Sequence, residues 1–333
     1  MRLIRGGSLL RGLMVGACLA MAQASSATST PTVLATTGMV GDMVESLGGE
    51  CIDTQVLMGP GVDPHLYRAA ASDVRAFQQA ALIAYNGFGL EGQLDSVLTR
   101  FGERRPTLAV AEAAAGREPL EVIRTDGGEA VDPHLWMDAR MWAQGIAPTA
   151  DALVEIAPDC ATAIRDRAST LHRQLHAVDD WITSRIQTIP APQRVLLTAH
   201  DAFRYYGRAY DIEVRGVQGI STTAEASVAD IRANARLIAE RGIPALFVET
   251  TINPRTVEAV VAAARERGAD VRVGGALYGD ALGASGTLAD SVVGMLIHNT
   301  IAMTRALGGR RAPLPEPLAA WQPDARTAWQ RPG

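Results

Sequence analysis

A helical pattern runs with hardly a break from Asp159 to Ile189, opened by Pro158 and closed by Pro190. At ~1.5 Å per residue this helix is on the order of 40–45 Å long, more than one lobe needs. Any fold of this chain must accommodate that rod. On either side the pattern changes to short β-type runs alternating with helices. Strands are expected at 32–36, 54–58, 81–85 and 107–110, and again at 194–198, 213–217, 245–249 and 271–275. Helices follow most of them, among them 227–241, 254–267 and 288–307. Strands separated by helices make βαβ units and parallel sheets. The expected fold class is therefore α/β, two lobes of parallel-rich βα units joined by one long rigid linker helix. The domain division reads 30–158 for the first lobe, 159–189 for the linker and 190–310 for the second lobe. A Pro-rich, extended tail is expected over 311–333, where Pro313, Pro315 and Pro317 cluster.

The N-terminus carries an address. Arg2, Arg5 and Arg11 precede an apolar run from Leu13 to Ala22, and small residues follow. That order is a secretory signal, expected over 1–24 and removed to leave a periplasmic protein. A rival reading attaches lipid at Cys18, but apolar residues continue past it and Arg11 interrupts the stretch before it. The mature chain keeps Cys51 and Cys160. Export permits a disulfide, yet sequence separation says nothing about reach, so their pairing stays open. The formal net charge of −5 and the 5% aromatic content argue against nucleic acid as a partner.

The chemistry lies in an internal echo. Val62-Asp63-Pro64-His65-Leu66-Tyr67 recurs as Val131-Asp132-Pro133-His134-Leu135-Trp136. Proline fixes φ before each histidine and pushes the aspartate toward extended geometry, so two imidazoles are presented on stiff, similar loops. Stiff presentation suits a metal site, and each aspartate could orient its histidine. Taken singly, an Asp-Pro-His is ordinary turn chemistry. Two near-identical copies among six histidines favour ligation. His200 follows the strand 194–198, at a C-terminal strand end where α/β sheets bind ligands. Asp280 sits just after the strand 271–275. The candidate metal set is His65, His134, His200 and Asp280. Three imidazoles and a carboxylate match Zn2+ by ligand type and also hold Mn2+. His172 and His176 share a face of the long helix, but Arg173 stands where H-E-x-x-H needs glutamate. His298 reads as a packed or capping histidine in the last long helix.

Several motifs together resemble a family. GPGVDPHLY (59–67), VDPHLWMD (131–138), LTAHDAF (197–203), GISTTAEAS (219–227), FVETTINPRTVEA (247–259) and GGALYGDALG (274–283) occur in order. They are similar to the TroA/ZnuA-like (cluster A-I) metal-binding proteins of bacterial zinc/manganese ABC transporters. The resemblance implies that a divalent metal is buried between the lobes as transported ligand. His65 and His134 would come from the first lobe, His200 and Asp280 from the second. It also implies delivery to an ABC permease in the inner membrane, and we expect a monomer. Many manganese receptors of this kind carry Glu where this chain has His200. Many zinc receptors carry a His-rich loop where 117–131, which reads as a polar, Gly-containing loop, has no histidine. The likeness is therefore to the TroA branch, which takes either metal.

Two other classes bear weighing. A zinc hydrolase needs an open coordination position and a base, and Glu249 is the nominee. Its bland role is a buried carboxylate beside the site. The chain shows none of the H-E-x-x-H, G-x-S-x-G or P-loop motifs, so no enzyme activity is expected. A metal-binding cell-surface adhesin would be favoured by lipid at Cys18.

Overall fold

The computed structural model describes residues 30–116, 119–125 and 128–330. The expected leader and Cys18 lie outside the described residues, as do 331–333. Strand β1 (Thr32–Thr37) is buried at every position after its first, so both faces are covered, as in a central parallel strand. It leads into helix α1 (Gly38–Gly48), where the Thr37 hydroxyl accepts from the Val40 amide and caps the N-terminus. The chain continues through β2 (Asp53–Met58), α2 (Asp73–Gln79), β3 (Leu82–Tyr85), α3 (Asp95–Gly102), β4 (Thr107–Ala109) and α4 (Val110–Ala115). The four strands form one parallel sheet in the order β2-β1-β3-β4.

The stretch before His134 departs from expectation. We read 117–131 as a polar loop, but it contains an antiparallel hairpin, β5 (Val122–Thr125) and β6 (Gly128–Val131). Asp126-Gly127-Gly128 between Val122-Ile123 and Ala130-Val131 is a hairpin signal that the surrounding charge obscures. The ladder extends by a bond from Asp132 N to Glu121 O, so the hairpin delivers the Asp-Pro-His turn directly. Short helices α5 (Ala139–Ala143) and α6 (Ile146–Ile156) complete this lobe.

The long helix α7 (Ala161–Ile186) follows a 3₁₀ turn at Pro158–Cys160. Its 26 residues span about 39 Å. Ile164, Leu171, Leu175, Val178, Ile182 and Ile186 form its buried stripe at helical spacing. Cys51, in the turn after α1, and Cys160 form a disulfide with Cα atoms 6.3 Å apart. Tertiary proximity settles what the sequence left open. The bond closes a loop of 109 residues and stabilises the fold by about 5 kcal/mol in the chain-entropy account. Arg167 reinforces the junction by donating to the carbonyls at the C-terminal end of α1.

The second lobe comprises β7 (Val195–Thr198), α8 (Arg204–Tyr210), β8 (Glu213–Gly216), α9 (Val228–Arg241), β9 (Ala245–Glu249), α10 (Arg255–Arg265), β10 (Arg272–Leu277) and α11 (Val292–Ala306). β7 pairs with β8 and β9 with β10, both in parallel, and β7 runs beside β9. Asp201 does not cap α8. The helix starts three residues later, and Asp201 accepts from the Arg204 guanidinium instead.

One apolar core passes through both lobes. It joins Met43 and Leu47 of α1, Leu153 of α6, Ile182 of α7, Tyr206 of α8 and Leu296 of α11. Smaller clusters lie between β7, β9, α9 and α10, and on the outer face of the first sheet. The tail also differs from expectation. It is extended only to Pro315, then forms a 3₁₀ turn (Glu316–Trp321) and α12 (Gln322–Gln330). Leu318 and Ala325 are buried seven residues apart, a helical spacing, and Leu314 is buried just before the turn. The prolines dominate this segment's composition and hide that spacing. The Trp181 indole donates to Pro313 O, fastening the tail to α7.

Candidate metal centre

The repeated Asp-Pro-His makes the same local turn twice. Asp63 Oδ1 accepts from His65 N at 2.9 Å, and Asp132 Oδ1 accepts from His134 N at 3.0 Å. His65 lies in the irregular segment between β2 and α2, and His134 just after β6. His200 stands two residues beyond β7, and Asp280 three beyond β10. The four side chains converge where the lobes meet. Their ligand atoms all lie within 4.8 Å of one another. Among the described residues they form the one such group of three or more His, Cys, Asp or Glu. Asp280 is the hub. Its Oδ1 is 3.2 Å from His134 Nε2, and its Oδ2 is 3.0 Å from His200 Nε2 and 3.5 Å from His65 Nε2.

All four are buried, with His65 the most exposed at 6%. The three Nε2 atoms and both Asp280 oxygens face only one another, and none makes a well-formed hydrogen bond. A buried polar atom left so costs about 1–3 kcal/mol. A cation among these donors would satisfy all five together.

Neighbouring groups fix these four side chains. Asp132 Oδ1 is 2.6 Å from His134 Nδ1 and so directs Nε2 inward. Asn86 donates to Pro133 O, and the Tyr205 hydroxyl of α8 donates to Asp132 O. Glu249 accepts from His200 N at 2.8 Å, and its other oxygen lies 2.8 Å from His200 Nδ1. Both of its oxygens thus face His200, the arrangement of a buried carboxylate beside the cluster. Asn299 grips Tyr278, donating to its carbonyl and accepting from its amide. The Trp136 indole donates to Gly279 O at 3.0 Å. Gly279 must lack a side chain, since a Cβ there would run into Glu249 Oε2.

Electrostatics divide the imidazoles. Burial opposes the imidazolium of His134, yet Asp132 and Asp280 outweigh it and hold its pKa at about 9. Burial likewise opposes the charge on His200, and Asp280 and Glu249 overcome it, holding the pKa well above the usual range. For His65 burial wins and pushes the pKa down to about 4. Burial would raise the Asp280 carboxyl, but His200 and His134 hold it well below the usual carboxylate range.

The remaining histidines lie apart from this cluster. His172 and His176 stack on α7 with ring centroids 4.2 Å apart, and His176 Nδ1 lies 3.1 Å from the Arg140 guanidinium. His298 is half-buried on α11, its Nε2 3.2 Å from Ala276 O and its ring against Tyr278. Sequence reasoning missed Asn86, Asn299, Trp136 and Gly279 as parts of the site.

Residues 33–306 match the profile of the ZnuA family, described as zinc-uptake complex component A, periplasmic. The chain belongs to the ZnuA family. Among its relatives, the zinc-binding protein TroA of Treponema pallidum is 38% identical over 283 residues, covering 85% of this chain and 91% of TroA. The manganese-binding lipoprotein MntA of Bacillus subtilis is 38% identical over 275 residues, covering 83% and 89%. The solved structure of the periplasmic zinc-binding TroA superimposes with a TM-score of 0.80, covering 84% of this chain and 99% of that one. The α/β two-lobe architecture of this ZnuA-family chain is thus that of a solute-binding protein.

Proposed function

We propose that this chain is the extracytoplasmic receptor of a metal importer. It captures Zn2+ or Mn2+ with His65, His134, His200 and Asp280 and hands the ion to an ABC permease in the inner membrane. The observation that carries this is the convergence of four buried donors whose ligand atoms make no well-formed hydrogen bond. Relatives named for zinc and for manganese support both cargoes. Imidazole nitrogen and the intrinsic affinity order favour zinc when both ions are equally available. The working unit is a monomer of two lobes, 30–158 and 190–310, around the linker 159–189, acting in the periplasm once the leader is removed. Four protein donors close the coordination sphere, as suits a carrier, where a catalytic zinc keeps a position for water.

The test is metal content by inductively coupled plasma mass spectrometry. Untagged mature protein is purified from medium with equal zinc, manganese and iron. One near-stoichiometric ion, lost in His65→Ala and His200→Ala, is the expected result. A protein that stays empty after chelation and reloading overturns the assignment. Mass spectrometry of the mature N-terminus separates a free chain from one lipid-modified at Cys18, the form an adhesin would favour.

A further inference from the structure

His65 differs from the other three ligands in how it is held. His134 sits in a run, 132–139, that is buried throughout. His200 is braced by Glu249 at its amide and beside its ring. The Asp280 loop is gripped through Tyr278 and Gly279. His65 rides on the irregular segment 59–72, and its neighbour Leu66 is 51% exposed. Among the described residues, no carboxylate stands on its Nδ1. Asp63, which matches Asp132 in the echo, turns its second oxygen away to accept from Thr222 Oγ1 at 2.6 Å. Thr222 belongs to the second lobe, in the loop between β8 and α9. Its neighbours Ser221, Thr223, Ala224 and Glu225 are exposed, while Thr222 is half-buried. Among the described residues, this is the one hydrogen bond between segment 59–72 and the second lobe.

We infer that Thr222 is a positioning residue for metal release. Through Asp63 it clasps the His65 loop across the cleft, and His65 is the ligand whose departure lets the ion out. One aspartate serves both ends of the clasp, because Oδ1 holds the His65 amide while Oδ2 holds the opposite lobe. Opening the Thr222 bond frees the turn that aims the imidazole. The other three donors stay braced, so release begins at the rim. This inference rests on the reading of the four residues as a metal-carrying site.

The experiment loads the mature protein with zinc alone and follows its loss to an excess of a chromogenic chelator by stopped flow. Thr222→Val keeps the shape and removes the donor. It is expected to release zinc about tenfold faster, the scale of one hydrogen bond to a charged acceptor. Its stoichiometry should match wild type, and its melting temperature should fall by no more than about 4 °C. Thr222→Ser restores the hydroxyl and should return the rate to within about twofold of wild type. Thr223→Val, an exposed neighbour, should leave the rate alone. In a His65→Ala background, Thr222→Val should add no further acceleration, because the clasp acts through that imidazole. A Thr222→Val protein that binds one zinc and releases it at the wild-type rate overturns the inference. So does equal acceleration with and without His65. Wild-type protein that takes up no zinc overturns the carrier reading itself, a result distinct from either of these.

Discussion

The two copies of Val-Asp-Pro-His-Leu-aromatic share a sequence and a turn, yet they occupy opposite environments. In the copy around His134, Leu135 and Trp136 are fully buried, and Asp132 bonds its own histidine ring. In the copy around His65, Leu66 faces solvent, the Tyr67 hydroxyl donates to Asp73, and Asp63 bonds a threonine of the other lobe. Local chemistry therefore dictates the Asp-to-amide turn in both places. It does not dictate what the aspartate's second oxygen does. That depends on what packs nearby, the core at one copy and the rim of the cleft at the other. In the proposed carrier, one copy would supply an anchored ligand and the other the ligand that leaves first.

The contrast can be broken most directly at the ligands. His134→Ala should lower zinc affinity by more than about 100-fold, beyond the 10–100-fold typical of a supporting partner, as read by competition titration. His65→Ala should also weaken binding strongly, whereas His172→Ala should leave it unchanged. Equal losses at His65 and His172 would refute the assignment. Next in size is packing. Leu135→Ala should destabilise the metal-free protein by about 2–5 kcal/mol in urea, while Leu66→Ala should stay within ~0.5 kcal/mol. Similar values would mean that the two copies are equally buried in solution. Asp132→Asn, which removes the acceptor behind His134, should cost about 10–100-fold in zinc affinity with stoichiometry unchanged.

The smallest effect is a titration. In the metal-free protein, the His134 imidazole should still be titrating by NMR near pH 9, while His65, at about 4, should be flat above pH 6. Zinc bound as proposed would have to displace the proton from His134, so affinity should rise as pH climbs from 6 through about 9. His65 is already neutral in that window and adds no slope there. A His134 resonance that titrates near pH 6.5 would erase the distinction between the copies.

Much of this was legible in the sequence because the signals are local. Pro158 and Pro190 bracket the linker, and Asp-Pro-His sets a turn whatever surrounds it. His200 and Asp280 stand just past strand ends, where an open sheet leaves space for ligands. What escaped depends on tertiary neighbours. Cys51 and Cys160 reach each other only once α1 packs on α7. Thr222 and Asn299 acquire roles from the loops they meet, and nothing in their own flanks announces it. The tail helix and the β5–β6 hairpin escaped for a different reason. Their apolar spacing was present, but proline and charge dominated the composition around it.

Because one apolar core passes from α1 through α7 to α11, the lobes cannot part widely without wetting Met43, Ile182 and Leu296, at ~25 cal/mol for each Å² exposed. Under the proposed function, a permease would therefore meet nearly the same outline with and without the ion. It would have to tell the two apart by the order of a few side chains at the rim of the cleft.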